Sequence, residues 1–276
     1  MRLIAILVMI MQIYVAMGPL TAQEAKHLER LTTADQSRGW ESVGRIELAG
    51  SGFCTGTLVT ERLVLTAAHC LFDRETGARH PLEAIEFRAG WRDGRAAAYR
   101  QARRAVIHPN YVFGGEDRIG ATVHDMALIE LDNPVRLPSL PPFGIAAAPK
   151  VGATVDLVSY AVDRAEAPSR EERCHVLGEE RGLLMLSCNV DFGASGAPVF
   201  LRRGETAEVV SLVSAKAEWR GQKVAIAVAV APHMALMTDI LEGRVSRARD
   251  VQITGSASVA DQPGTADHPG AKFLRP

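Results

Sequence analysis

Short runs of apolar residues, bounded by glycine, proline or charged residues, recur along most of the chain. Many short strands separated by turn signals are typical of an all-β sandwich or barrel. In the first half the pattern predicts strands over residues 43–48, 57–60, 63–66, 85–89, 99–107 and 126–131. In the second half it predicts strands over residues 154–159, 173–177, 183–188, 198–201, 208–214 and 223–230. A proline-rich crossing around residues 133–142 separates the two sets, so we expect two β-rich halves.

The segments outside these strands have other sequence patterns. Residues 233–241 predict a closing helix that Gly243 ends. At the start, Arg2 precedes an apolar run over residues 3–17, and a small residue follows at position 22. That arrangement is typical of a secretory signal peptide, and the run is shorter than the ~20 residues of a spanning helix, with an uncleaved anchor as the alternative.

These features predict four divisions. They are a signal peptide over 1–22, a leader or propeptide (or short surface helix) over 23–39, a folded domain over 40–243, and a tail over 244–276. The tail is rich in Ser, Ala, Gly and Pro, so it buries little apolar surface and is predicted to be disordered.

Composition narrows the function classes. The 276 residues carry a formal net charge of −1 and are 47% hydrophobic, which fits a globular protein and argues against nucleic acid as a partner. The four cysteines of a chain with an export signal favour two disulfides, and three connectivities are open. No Cys-x-x-Cys pair is present, so a metal site is the weaker alternative. Neither a metal nor an organic cofactor is predicted.

Three stretches carry candidate chemistry. In Gly193-Ala194-Ser195-Gly196, a serine flanked by glycines can present its hydroxyl to a carbonyl, and the Gly193 and Ser195 amides can face the resulting oxyanion. A serine nucleophile needs a base held by an acid. His69, after two alanines, and Asp125, at the start of an apolar strand, are the candidates. Taken singly, the alternatives are a tight turn, a buried structural histidine and a strand-end cap.

Together the three stretches resemble the chymotrypsin-like serine proteases. The motifs Thr-Ala-Ala-His-Cys, Asp-Met-Ala-Leu-Ile and Gly-x-Ser-Gly-x-Pro-Val occur in the family's order, and the resemblance spans about residues 40–240. It implies two six-stranded antiparallel β-barrels, at about 40–132 and 150–230, with the active site in the cleft between them and a short helix at the end. The chain resembles bacterial, secreted members with a short second barrel.

The resemblance also implies a serine endopeptidase. His69, Asp125 and Ser195 would form the triad, with an acyl-enzyme intermediate and protein or peptide substrates. For the disulfides we favour the two sequence-local pairs. Cys54 with Cys70 resembles the family's bridge beside the histidine, and Cys174 with Cys188 would close a hairpin that leads toward Ser195.

Specificity is read from the position that carries aspartate in trypsin-like relatives, six residues before the serine. It is Asn189 here, and the assigned substrate-binding residues are Asn189, Val213, Ser214 and Ala215. The neutral Asn189, together with Lys216 next to Ala215, disfavours cationic substrate side chains. The histidine of the glutamate-specific branch would align near Val213, so we expect small or medium apolar side chains, with Asp191 as an alternative determinant.

The activation device of the pancreatic-type zymogens is missing. Those relatives pair a new amino terminus with an aspartate just before the serine, and this chain has Ala194 there and no Ile-Val-Gly-Gly-like start. We therefore expect the oxyanion turn to be held otherwise, by Gly193 with the Cys174–Cys188 bridge or by Asp191.

Two other functions stay open: a protease-fold binding module without activity, and an esterase that uses the same residues. The expected location is secreted or periplasmic, without stable membrane association after signal cleavage. The sequence makes no prediction of the oligomeric state.

Overall fold

The computed structural model describes residues 28–48, 50–245 and the backbone of 272 and 273. The first barrel contains six strands: β2 Val43–Leu48, β3 Phe53–Leu58, β4 Leu63–Thr66, β5 Ile85–Ala89, β6 Ala98–Ile107 and β7 Ala127–Leu131. It closes in the order β2-β3-β4-β7-β6-β5. All its neighbouring pairs are antiparallel.

Tight packing closes this barrel around Phe87, which is 1% exposed. A Cβ at Gly44 would lie 2.4 Å from the Phe87 ring, so only glycine lets β2 pass over it. All five residues of β7 are buried, which matches the apolar run at 126–131. Short helices lie between the strands: 3₁₀ turns at Ala68–Leu71 and Leu82–Ala84, and helix α2 at Arg118–Val123.

The second barrel is also six-stranded and antiparallel. Its strands are β9 Thr154–Ser159, β10 Ser169–Glu180, β11 Leu183–Leu186, β12 Pro198–Arg203, β13 Thr206–Trp219 and β14 Gln222–Ala229. Strand β9 pairs with both β10 and β12, which closes the order β9-β10-β11-β14-β13-β12. Helix α3, Ala231–Leu241, follows, and a two-residue strand β8, Gly144–Ile145, and a 3₁₀ turn, Val162–Arg164, lie in the connections. The predicted two-barrel fold with a closing helix is confirmed.

Aromatic side chains join the crossing segment to both halves. Phe143, between the barrels, packs on Trp40 at 6.0 Å and on Phe200 of β12 at 4.6 Å between ring centroids. Trp40 in turn meets Phe200 edge-on at 5.0 Å. These contacts pack the segment before β2 and the segment after the crossing onto β12 of the second barrel.

The start of the described chain packs on the second barrel. Strand β1, Leu28–Arg30, pairs with Ser169–Glu171 of β10, and Leu31 is 2% exposed. A one-turn helix α1, Ala34–Ser37, follows with a capping box at Thr33. These residues belong to the fold in this structure, although they fall in the segment predicted as a leader. Removal of that segment as a propeptide stays a prediction.

Other predicted divisions lie largely outside the described residues. The signal peptide at 1–22 lies there entirely, and so does most of the tail at 244–276. Within that tail, Lys272–Phe273 form strand β15, which pairs antiparallel with Ala217 and Glu218 of β13. In the part of the chain that the structure describes, no helix has the length and apolar character needed to cross a membrane.

Candidate active site

His69 lies where β4 ends. The chain leaves Thr66, passes the fully buried Ala67, and forms the 3₁₀ turn that carries the imidazole. The Cys54–Cys70 disulfide ties this turn to β3, as predicted. Cys54, His69 and Cys70 are near enough to hold a metal ion by distance alone, but both sulfurs are in the disulfide and are not thiolate ligands.

Asp125 holds both the ring and the backbone of His69. The carboxylate is 3% exposed and follows helix α2 at the start of β7. Its Oδ2 lies 2.7 Å from His69 Nδ1, and its Oδ1 accepts the His69 amide at 2.8 Å. Because a carboxylate only accepts hydrogen bonds, Nδ1 carries the proton and Nε2 is left as the basic atom. Ser214 Oγ donates to the same Oδ2 at 2.5 Å.

Ser195 lies in a turn that glycine permits at two positions. Gly193 has φ +95°, and a Cβ there would lie 2.3 Å from the Phe53 ring. Gly196 has φ +78°, and a Cβ there would lie 2.2 Å from Thr66 Oγ1. Both positions combine the left-handed backbone with close approach to barrel one. The sequence signal that predicted the nucleophile is therefore a steric requirement of this turn.

Thr55 of β3 connects the turn to barrel one. Its Oγ1 donates to the Gly193 carbonyl at 2.8 Å, and its amide donates to the Ser195 carbonyl at 2.9 Å. Thr55 Oγ1 also accepts the Tyr160 amide at 3.1 Å. With their carbonyls held this way, the amides of Gly193 and Ser195 donate to no atom among the described residues. Two free amides beside a serine are the arrangement that an oxyanion hole requires.

The predicted triad residues come together in one cleft of about 1040 Å³. His69 and Asp125 reach it from barrel one, and Ser195 reaches it from barrel two. Within the described residues, His69 makes its side-chain hydrogen bond to Asp125 and none to Ser195. A loose nucleophile–base contact is common in structures without substrate.

Three of the four residues assigned to substrate binding line this cleft: Val213, Ser214 and Ala215. Asn189 does not line it. Asn189 is exposed, and its amide donates to Oε2 of the buried Glu171 at 2.6 Å. The opposite wall is formed instead by Val190, Asp191 and Phe192. The predicted Cys174–Cys188 disulfide precedes this wall.

Several functional contacts were not predicted from the sequence. The hydrogen bond from Ser214 to Asp125, the double hold of Thr55 on the serine turn, and the ion pair of Lys216 with Asp191 all join distant segments. No local sequence pattern indicates the first or the third contact. For Thr55, the one sequence signal is its position next to Cys54, which is bonded to Cys70 beside His69.

Two antiparallel barrels with histidine, aspartate and serine in the cleft between them define the class of chymotrypsin-like serine proteases. A family model described as trypsin-like peptidase domain matches residues 50–212, which is more than half of the chain. The chain belongs to this family.

Similar proteins agree with this assignment. Serine protease 23 of Bos taurus is 30% identical over 168 residues, which cover 54% of this chain and 44% of that protein. Glutamyl endopeptidase of Bacillus licheniformis is 26% identical over 151 residues, which cover 54% and 45%. The matches thus cover less than half of these relatives. A solved structure, Glu endopeptidase in complex with MPD, superposes with a TM-score of 0.62 at 20% identity, over 77% of this chain and 96% of that one, and supports the fold.

Proposed function

We propose that the protein is a serine endopeptidase that cleaves peptide bonds through His69, Asp125 and Ser195. The observation that carries the proposal is the hydrogen bond of His69 Nδ1 to the buried Asp125, in the cleft that also contains Ser195. A base with a fixed tautomer and a glycine-flanked serine are the parts that acyl transfer needs.

In the proposed reaction, Ser195 Oγ attacks the substrate carbonyl while His69 Nε2 removes its proton. Asp125 keeps the imidazole oriented and stabilises the imidazolium. The oxyanion accepts hydrogen bonds from the Gly193 and Ser195 amides, and each such donor is worth about 3 to 4 kcal/mol in related reactions. His69 then returns the proton to the leaving amine, and water hydrolyses the acyl-enzyme by the same route. Each step uses only groups of this chain and water.

The walls of the cleft support substrates with an uncharged side chain before the scissile bond. Val190, Val213 and Ala215 give this side an apolar lining. One relative is named glutamyl endopeptidase. The acid-reading histidine of that branch would align near Val213, so glutamate specificity is not carried over.

The proposal includes activity without insertion of a new amino terminus. Ala194, before the nucleophile, is fully buried and carries no charge to receive an ammonium group. The Thr55 contacts and the hydrogen bond from the Ala194 amide to the Asp191 carbonyl, at 3.0 Å, hold the turn instead. Export is part of the same proposal. The signal-peptide pattern at residues 1–22 agrees with the two disulfides, because disulfides persist in oxidising compartments.

The test compares the mature protein with Ser195→Ala on a peptide library and on matched ester substrates. We expect hydrolysis of peptides by the wild type and a loss of several orders of magnitude, on the order of 10⁶ in a comparable enzyme, in the folded variant. Hydrolysis of esters alone would indicate an esterase, and a folded wild type without hydrolysis would indicate a binding module. Either of these results overturns the proposal.

A further inference from the structure

An ion pair crosses the specificity side of the cleft. Lys216, on β13, places Nζ 3.0 Å from Asp191 Oδ1, on the turn that precedes Ser195. The same ammonium lies 3.6 Å from the centroid of the Phe192 ring. All three residues line the cleft with Ser195. The pair therefore joins two segments that line the cleft, the turn before Ser195 and strand β13.

Both partners are held in place. The Asp191 carboxylate also accepts the Phe192 amide at 2.8 Å, and the Asp191 carbonyl accepts the Ala194 amide at 3.0 Å. Burial raises the pKa of Asp191, but hydrogen bonds from Lys216 and the Phe192 amide outweigh it, so the pKa is lowered on balance. The carboxylate is thus ionised at neutral pH and bound to Lys216, with a fixed position relative to the nucleophile.

The charges of this pair compensate each other. The surrounding wall residues Val190, Val213 and Ala215 are apolar. The other acidic and basic side chains that line the cleft come from barrel one: His69, Arg74, Glu116, Arg118 and Asp125. The Asp191 side chain is 49% exposed, and its Oδ1 already accepts from Lys216 and from the Phe192 amide. A cationic substrate side chain near Asp191 is repelled by Lys216, and an anionic one near Lys216 is repelled by Asp191. Each also loses part of its own hydration, so neither charge gains affinity.

We propose that Asp191 and Lys216 are specificity-determining residues that mask each other, so that the enzyme accepts uncharged side chains before the scissile bond. Removal of Lys216 exposes a carboxylate that selects cationic side chains. Removal of Asp191 exposes an ammonium that selects anionic ones. The inference rests on the proposed peptidase function.

The experiment uses four proteins: wild type, Lys216→Met, Asp191→Asn and the double variant. Methionine keeps the length of the side chain, and asparagine keeps an acceptor for the Phe192 amide. The substrates are peptides that differ only in the residue before the scissile bond, with arginine compared to methionine and glutamate compared to glutamine. The measured quantity is the ratio of kcat/KM within each pair.

We expect Lys216→Met to raise the arginine to methionine ratio at least about tenfold, since the uncovered Asp191 carboxylate can form a charge-assisted hydrogen bond with the substrate side chain. Asp191→Asn raises the glutamate to glutamine ratio by a similar factor. The double variant returns both ratios to near the wild-type values. Lys216→Arg keeps the charge and the wild-type ratios, and Lys150→Met, which removes an exposed lysine outside the cleft, leaves them unchanged.

The outcomes separate the two claims. If the wild type hydrolyses these peptides but the single variants keep its ratios, the inference is overturned and the peptidase function stands. A wild type that already selects arginine or glutamate strongly also overturns the inference. If the folded wild type hydrolyses no peptide, the proposed function fails and the inference fails with it.

Discussion

Acid should destabilise the protein through a cluster of three histidines where barrel one meets α3. His108 is 3% exposed, and its Nδ1 accepts the Asn110 amide at 3.2 Å. Neutral His108 therefore carries its proton on Nε2, which faces His233 Nδ1 at 3.1 Å, while the ring of His124 stacks on it at 4.6 Å. Protonation of His108 or His233 would place two N–H groups against each other.

The direction and size follow from the pKa values. Burial, and then the charges of His233 and His124, lower the pKa of His108 from 6.5 to about 4. Burial and His124 also lower the pKa of His233. Below pH 6.5 the unfolded chain binds protons that the native cluster does not. The contribution of the neutral cluster to the free energy of unfolding is therefore complete above pH 6.5 and is lost as the pH falls toward 4. For His108 alone the loss is about 3 kcal/mol, since one pKa unit corresponds to about 1.4 kcal/mol.

The assay is denaturant unfolding of the Ser195→Ala protein, which avoids self-cleavage, at several pH values from 7.5 to 4. His108→Gln keeps an amide donor for His233 but does not titrate. We expect this variant to be less stable than its parent at pH 7.5 and to lose about 2 to 3 kcal/mol less on acidification. His175→Gln, at an exposed histidine outside the cluster, should follow the parent. Equal slopes for the parent and His108→Gln would refute the reasoning.

Three further predictions concern the serine turn and the disulfides. Gly193→Ala should lower kcat about 100-fold or more, which corresponds to the loss of one oxyanion donor. The reason is that the added Cβ would collide with the Phe53 ring and displace the Gly193 amide; normal steady-state kinetics would contradict this. Thr55→Val should cost about 1 to 3 kcal/mol in denaturant unfolding, because it leaves the Gly193 carbonyl and the Tyr160 amide without a side-chain partner; unchanged stability would exclude this role. Reduction of each disulfide should lower the free energy of unfolding by about 3 kcal/mol. Thermal unfolding measures this loss, and intact mass after alkylation counts the thiols; four free thiols before reduction would contradict the two bridges.

The fold was largely predictable because alternation and turn signals mark barrel strands directly. The exceptions have physical causes. Strand β13 continues to Trp219, beyond the predicted 208–214, because its last residues pair with β14 while the charged Lys216 and Glu218 alternate with the buried Ala217 and break the apolar run. Strand β3 begins at Phe53 rather than 57, since Cys54, Thr55 and Gly56 interrupt the apolar pattern after Phe53. Strand β1 is only three residues long and gives no periodic signal.

The candidate site was predictable where chemistry and sterics leave a local trace. Ser195 has its glycines, and His69 and Asp125 begin or end buried strands. The spacing before Ser195 predicts that Asn189 lies in the cleft, but Asn189 is exposed and Val190, Asp191 and Phe192 line the cleft instead. The pairing of Lys216 with Asp191 joins two separate segments, so it depended on the three-dimensional structure.

The central claim is that Ser195 is a nucleophile activated by His69. The most direct test is labelling with a fluorophosphonate, which reacts only with activated serines, followed by intact mass and peptide mapping. We expect one adduct per chain on Ser195, no adduct on Ser195→Ala, and labelling slower by several orders of magnitude on His69→Ala. An unlabelled, folded wild type, or an adduct on another residue, would contradict the claim.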